Sequence, residues 1–272
     1  MGSNELYSWY DSSSRKYLSF SEGVSGLPSS GFFILGETHY EQSIMNAQGA
    51  FIHEFVGAKS LRGNFSVGWE FLNFPDQGKL DASFSFYANG SLGLNELLSE
   101  FFPTSSAKHT VYAPLFEMAK KFDGRMVATN APRDWKRVIV REGIDALSQD
   151  RIPFLMERGS SDYYNRFVAA IGGHGDPSVI ENYFMAQSYT DAVMAQSLVD
   201  ISKTQATIMI TGHFHSDYGH GLPSYLLKGT SQNVEIIRIV DFKNLTQEER
   251  EEVIKEHPTY GAKASHFLII NK

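Results

Sequence analysis

Phe32-Phe33-Ile34-Leu35 runs straight into Gly36-Glu37-Thr38-His39, and Ala206-Thr207-Ile208-Met209-Ile210-Thr211 runs into Gly212-His213-Phe214-His215. Each apolar run is too short for a free-standing helix and rich in β-branched or aromatic residues, so each predicts a buried strand. A glycine followed by ionisable side chains then falls just past each strand's carboxyl end. In an open parallel sheet that edge is where ligands sit, so the pair predicts one crevice fed by two distant stretches of chain.

Further strands are predicted at Ser66 to Glu70, Arg125 to Asn130, Val234 to Val240 and His266 to Ile270. Helical patterns separate them at Glu41 to Gly63, Val111 to Phe122, Arg133 to Leu147, Val179 to Lys203 and Thr246 to Glu256. This alternation predicts an α/β fold, a mostly parallel sheet with helices on both faces. No good strand falls between Asn130 and Thr207, and the Tyr163-Tyr164 and Tyr183-Phe184 pairs suit packed helices. A helical subdomain over the crevice is therefore expected. The division is an α/β core over residues 24–135 and 204–272, with a helical cap or insertion, continuous with it, over 136–203. Residues 73–106, rich in Gly, Ser, Asn and Phe, read as loop with a short helix near Leu94 to Phe102.

Of the 272 residues, 42% are hydrophobic and 20% charged, the balance of a soluble globular chain. The net charge of −7 comes with no basic stripe, which argues against nucleic acid as a partner. Cysteine is absent, so metal ligation or catalysis would use oxygen and nitrogen atoms. No apolar run reaches the roughly 18 residues of a membrane span. Met1-Gly2-Ser3-Asn4 has neither a basic n-region nor an apolar h-region, so the chain as given is read as a soluble form without signal peptide or lipobox.

Thr38 is a candidate cap for the helix expected near Glu41. Glu37 and His39 have no such local use. A Glu directly after a buried strand is costly to desolvate unless it is paired, hydrogen-bonded or bound to a cation, and a buried hydrogen-bonded network is the plain alternative to a ligand site. His213, His215 and His220 share a glycine-rich stretch with Asp217 and Tyr218, and strand-like alternation would send His213 and His215 to the same side. Tyr40 adjoins His39, and a phenolate is a hard anionic ligand suited to ferric iron. Arg133, after Asn130-Ala131-Pro132, lies where an anion would meet a guanidinium and free backbone donors. Glu70 is another polar residue at a strand end, and for it and Arg133 an internal Arg–carboxylate pair is the bland alternative. Tyr183, Gln187, Asp191 and Met194 share one helical face, which places Asp191 toward the loop histidines or Arg133.

Several of these segments together resemble a known family. Ile34-Leu35-Gly36-Glu37-Thr38-His39, Gly68-Trp69-Glu70, Tyr112-Ala113-Pro114-Leu115, Asn130-Ala131-Pro132-Arg133, the Ala186 to Ala195 stretch and Thr211 to His215 with Gly221-Leu222-Pro223 form the set. In order, from Phe32 to Lys228, they resemble the ChaN-like haem-binding lipoprotein family, Campylobacter-type members included. The resemblance implies an iron-regulated bacterial cell-envelope lipoprotein, anchored at the outer membrane, that takes part in haem and iron uptake. It implies ferric haem held by a Tyr in a crevice shared by two protomers, with an outer-membrane haem receptor as a further partner. Tyr40 is assigned as the iron ligand because it adjoins the family motif, and His39, Glu37, Arg133, His213, His215 and Tyr218 as its haem-binding surroundings. The departure is the missing lipobox Cys.

Erythromycin-esterase-like and Tiki-like proteins, more distant fold relatives, also carry a Gly-Glu-x-His and a second Gly-x-x-His, and some resemble metal-dependent hydrolases. That gives the alternative function: Glu37, His39, Glu70 and His215 as a divalent-metal set that activates water. The expectation kept is a haem-binding and transport protein rather than an enzyme.

Overall fold

The computed structural model describes residues 6–173, 175–201 and 204–271. The reading of Met1 to Asn4 as lacking a leader, and the expected end of the long helix at Lys203, lie outside the described residues. Along the chain, β1 (Tyr7–Asp11), β2 (Lys16–Ser19) and α1 (Phe20–Gly26) precede β3 (Gly31–Glu37) and α2 (Gln42–Ala58). Next come β4 (Phe65–Asn73), α3 (Gln77–Ala88), α4 (Leu94–Phe101), α5 (Ser106–His109), α6 (Ala113–Lys121) and β5 (Arg125–Asn130). Then follow α7 (Arg133–Glu142), α8 (Ser161–Ala170), α9 (Pro177–Ile201), β6 (Ala206–Gly212), α10 (Leu222–Gly229), β7 (Val234–Asp241), α11 (Gln247–Ile254) and β8 (His266–Ile270).

The eight strands form one sheet in the order β2-β1-β8-β7-β3-β6-β4-β5. Every pairing from β8 through β5 is parallel, and β1 runs antiparallel to both β2 and β8. The mostly parallel α/β fold is thus as expected. The amino-terminal hairpin is an addition to it, legible in retrospect in the alternating Tyr7-Ser8-Trp9 before a serine-rich turn.

Strand periodicity explains the layering. Phe33 and Leu35 of β3 pack into a cluster with Phe51 and Phe55 of α2 and Leu115 and Phe116 of α6. Their neighbours Phe32 and Ile34 point the other way, to Ala192, Ala195 and Leu198 of α9 and Leu226 of α10. Each fully buried Phe or Leu contributes roughly 1.5–3 kcal/mol to the fold. The first half of α9 packs differently, with Phe184 in a separate aromatic cluster beside Tyr163 and Phe167 of α8.

From β3 the chain leaves through α2 on one face, and from its neighbour β6 it leaves through α10 on the other. Adjacent strands whose continuations diverge leave a crevice over their carboxyl ends. The two Gly-x-x-His segments stand at that crevice because β3 and β6 are in register there, Gly36 beside Thr211 and Glu37 beside Gly212.

Three local expectations are corrected. Thr38 does not cap α2: the helix starts at Gln42 with Glu41 at the cap position, and no side chain closes the cap. Residues Gln77–Ala88, expected as loop, form α3, whose weak helix formers are held by the buried Leu80, Ser83 and Tyr87. The Gln77 side chain also accepts from the Ala128 N–H at 2.7 Å and donates to the Met126 carbonyl at 3.1 Å, covering the free edge of β5 as another strand would. Finally, His213–His215 winds as a 3-10 turn rather than extending. At about three residues per turn, positions two apart diverge, so the two histidines face different partners.

Candidate functional site

Glu37 ends β3 with its side chain buried. Its Oε1 accepts from Tyr112 Oη at 2.6 Å and from His39 Nδ1 at 2.8 Å, and its Oε2 accepts from Gln48 Nε2. Gln48 comes from the buried face of α2, among Ile44, Met45 and Phe51. A lone polar residue on an apolar helix face was the signal for it in the sequence. Glu70, from β4, completes the arrangement. Its Oε1 accepts from His39 Nε2 at 3.0 Å, and its Oε2 from the Gly212 N–H at 2.8 Å and the Thr211 hydroxyl. Gly212 is required here, since a β-carbon would lie 2.8 Å from His39 Nε2.

With a carboxylate on each nitrogen, His39 is an imidazolium. Burial opposes its charge, but the hydrogen bonds and charges of Glu37 and Glu70 outweigh burial and raise its pKa to about 10. Burial likewise pushes Glu70 up, yet His39, the charge of His215 and the Thr211 hydroxyl hold it at about 2. Burial, then Glu37, pushes the Tyr112 phenol far above its usual range.

A pH dependence of stability follows. His39 contributes fully below its ordinary value of 6.5, and that contribution is lost as pH rises toward about 10. Glu70 contributes fully above 4.5, and that contribution is lost as pH falls toward about 2. The share of stability from this network is therefore level from pH 4.5 to 6.5 and declines on either side. Urea midpoints measured from pH 4 to 10 should show a shallower alkaline decline in His39→Gln than in the parent chain. Identical slopes above pH 6.5 would contradict the assignment of the charge to His39.

Tyr40 follows at once, with a backbone φ of +65°, a left-handed state rare for a bulky residue. Its half-buried ring lies among Phe71, Tyr112, His109 and His39 at centroid distances of 5.5, 5.8, 5.7 and 6.1 Å. Lys108 Nζ stands 3.8 Å from the ring centroid. Burial, then the charges of Glu70 and Glu37, raises the phenol's pKa.

His215 turns toward α9. Its Nδ1 donates to Asp191 Oδ1 at 2.6 Å, while Asp191 Oδ2 accepts from Tyr163 Oη at 2.8 Å. Asp191 thus meets a loop histidine, one of the two partners expected for it. Burial raises Asp191, and Asp191 in turn overcomes burial to raise His215, so the two share a proton as a unit. His213 instead donates to Asp217 Oδ2 at 3.0 Å. Tyr218, also left-handed with φ +65°, packs beside Tyr260 and His257 at 5.4 and 5.9 Å, under the Arg166 guanidinium at 4.7 Å. Arg133 opens α7 in an exposed position, and Lys136, one turn on, donates to Asn130 Oδ1 at 3.1 Å.

Glu37, His39, Tyr40 and Glu70 therefore meet in one cluster, with His215 close enough for its charge to act on Glu70. Tyr218 belongs to a different ring cluster from Tyr40. Phe71, Lys108, His109 and Lys136 were not identified from sequence. They come from elements whose side chains reach this place only through the fold.

Of the two imidazoles in the divalent-metal set, His39 already donates from each nitrogen to a carboxylate and His215 donates from Nδ1 to Asp191. Among the described residues no group of three or more His, Asp or Glu converges to hold a metal ion. The arrangement fits haem better: a phenol as a hard oxygen donor, aromatic rings around it, and Arg133 and Lys136 as cations for carboxylates.

Fold and site together define an open α/β protein with an aromatic cluster around Tyr40 beside its strand switch. The family model described as haem-binding uptake, Tiki superfamily, ChaN matches residues 24–226, and the chain belongs to that family. The structure is similar to that described as cofacial heme binding to ChaN of Campylobacter jejuni, at 16% identity and a TM-score of 0.74, covering 98% of this chain and 97% of that one. The type III effector HopBA1 is a weaker likeness, at 9% identity and a TM-score of 0.46, over 92% and 91% of the two chains. Comparison with curated proteins gives no match. No described helix is long and apolar enough to cross a membrane.

Proposed function

We propose that this protein binds ferric haem in the crevice at the carboxyl ends of β3, β6 and β4, with Tyr40 as the iron ligand. The observation that carries the reading is Tyr40 itself, a half-buried phenol in a strained left-handed position inside an aromatic surround, directly after the family's Gly-Glu-x-His. Bound haem supplies a ferric centre that takes a hard anionic oxygen ligand. Glu37 and Glu70 hold His39 beside the phenol, and Arg133 with the loop histidines His213 and His215 offers partners for carboxylates. Tyr218, in its own ring cluster with Tyr260 and His257, is the next phenol to take the role should Tyr40 not hold it.

Two protomers share the crevice in this account. A macrocycle admitted from outside leaves an apolar face too large to remain in water, and a second protomer covers it. The cofacial haem binding described for the Campylobacter jejuni protein supports that reading. The setting is the bacterial cell envelope, in haem and iron uptake, with the chain anchored as an outer-membrane lipoprotein that receives haem from an outer-membrane receptor. The family's description as haem-binding uptake supports this.

If haem binds the dimer better than the monomer, adding it shifts the equilibrium toward dimer by mass action. Sedimentation velocity at equal low-micromolar protein should give a monomer without hemin and a dimer with it. A haem-saturated monomer would overturn the shared crevice.

A further inference from the structure

The Tyr112-Ala113-Pro114-Leu115 segment has one side chain that reaches back to the turn ahead of Tyr40. Tyr112 is completely buried and stands just before α6. Its Oη donates to Glu37 Oε1 at 2.6 Å and accepts from the Tyr40 backbone N–H at 3.4 Å. One oxygen thus ties the first residue of Glu37-Thr38-His39-Tyr40 to the last. Tyr112 is the fixed partner of the two. Its ring lies 4.8 Å from that of Trp69 and 5.5 Å from that of Phe71. Pro114, two residues on, packs so closely on Gly49 of α2 that a β-carbon there would lie 2.8 Å from Pro114 Cβ. That bare patch of helix lets α6 approach next to Gln48, which holds the other Glu37 oxygen. Tyr40 is the partner under strain. A φ of +65° is unfavourable for any residue with a β-carbon, and such a backbone persists only where its surroundings over-determine it.

We propose that Tyr112 is a positioning residue for Tyr40: its hydroxyl holds the main-chain N–H and so keeps the left-handed turn that aims the Tyr40 side chain at the crevice. The inference rests on the reading of Tyr40 as iron ligand. It is independent of the state of that phenol, because the hydrogen held belongs to the backbone amide and stays in place when the side-chain oxygen binds iron as an anion. At 3.4 Å the hydrogen bond is long, and ring packing against Phe71 at 5.5 Å is a second restraint on Tyr40. Loss of the bond therefore loosens the turn without unfolding it.

The test has an arm without haem. At positive φ the amide hydrogen and Hα of a residue lie unusually close, so the apo parent chain should show a strong intraresidue nuclear Overhauser effect at Tyr40. Tyr112→Phe keeps the ring and removes the oxygen, and the effect should weaken as Tyr40 samples negative φ. A weak effect in the parent chain, or one of parental strength in the variant, overturns the proposal.

In the haem-loaded protein, Tyr112→Phe should split the single high-spin ferric electron paramagnetic resonance signal into several, with haem release about five- to tenfold faster, the equivalent of one modest hydrogen bond. A loss of stability alone would lower the melting temperature and leave the signal single. Parental signal and release in Tyr112→Phe, alongside a Tyr40→Phe that has lost its tyrosinate band, overturn the role of Tyr112 alone. A Tyr40→Phe that keeps the band overturns the ligand assignment, and the apo measurement still decides whether Tyr112 holds the turn.

Discussion

Tyr40→Phe should abolish the tyrosinate charge-transfer band of the ferric complex and weaken haem binding on the order of a hundredfold, about 2.7 kcal/mol. The substitution is clean because the phenyl ring keeps its contacts with Phe71, His109 and Tyr112, and Lys108 keeps a ring face to cover. What disappears is one oxygen and its long bond to His109. A thermal melt of the apo variant should therefore stay close to that of the parent chain. Reduction should weaken binding in the parent more than in the variant, since a hard anionic ligand favours Fe³⁺ over Fe²⁺. A variant with unchanged spectrum and affinity would move the role to another residue, Tyr218 first.

Asp191→Ala should cost about 3–5 kcal/mol of folding stability, the usual penalty for removing one member of a buried ion pair. Asp191 is completely buried, and its two oxygens serve two donors, His215 Nδ1 and Tyr163 Oη. Without it the His215 imidazole and the Tyr163 phenol each lose the carboxylate oxygen they donate to. Asp191→Asn retains one acceptor oxygen and should lose clearly less. Guanidinium unfolding of the two variants checks the order and the size. A loss below about 1 kcal/mol in Asp191→Ala would show that the interior relaxes around His215 and that the pair is dispensable.

The strand ends were legible because a short apolar run rich in β-branched or aromatic residues and a following glycine are local signals. Phe32 to Leu35 shows where β3 lies without reference to any other part of the chain. Parallel neighbours β3 and β6 could be inferred to share a crevice, since ionisable residues collect where an open sheet binds ligands. That Asp191 would reach a loop histidine or Arg133 was readable from a helix face interrupted by polar residues, and it reaches His215. By contrast, α3 owes its helix to tertiary contacts at Leu80 and Tyr87, which override weak local propensity. The parting of His213 from His215 depends on a 3-10 turn that strand-like alternation misrepresents. His109 carried no signal at all: its contact with Tyr40 joins residues 69 apart in sequence and exists only through the fold.

The most direct test of haem binding through Tyr40 is a hemin titration of the parent chain beside Tyr40→Phe, followed by absorbance from the Soret region into the red. The account predicts a saturable, shifted Soret band in the parent, with a high-spin charge-transfer feature of tyrosinate type that the variant lacks. A parent chain whose spectrum remains that of free hemin at every ratio, with no saturation, would contradict it.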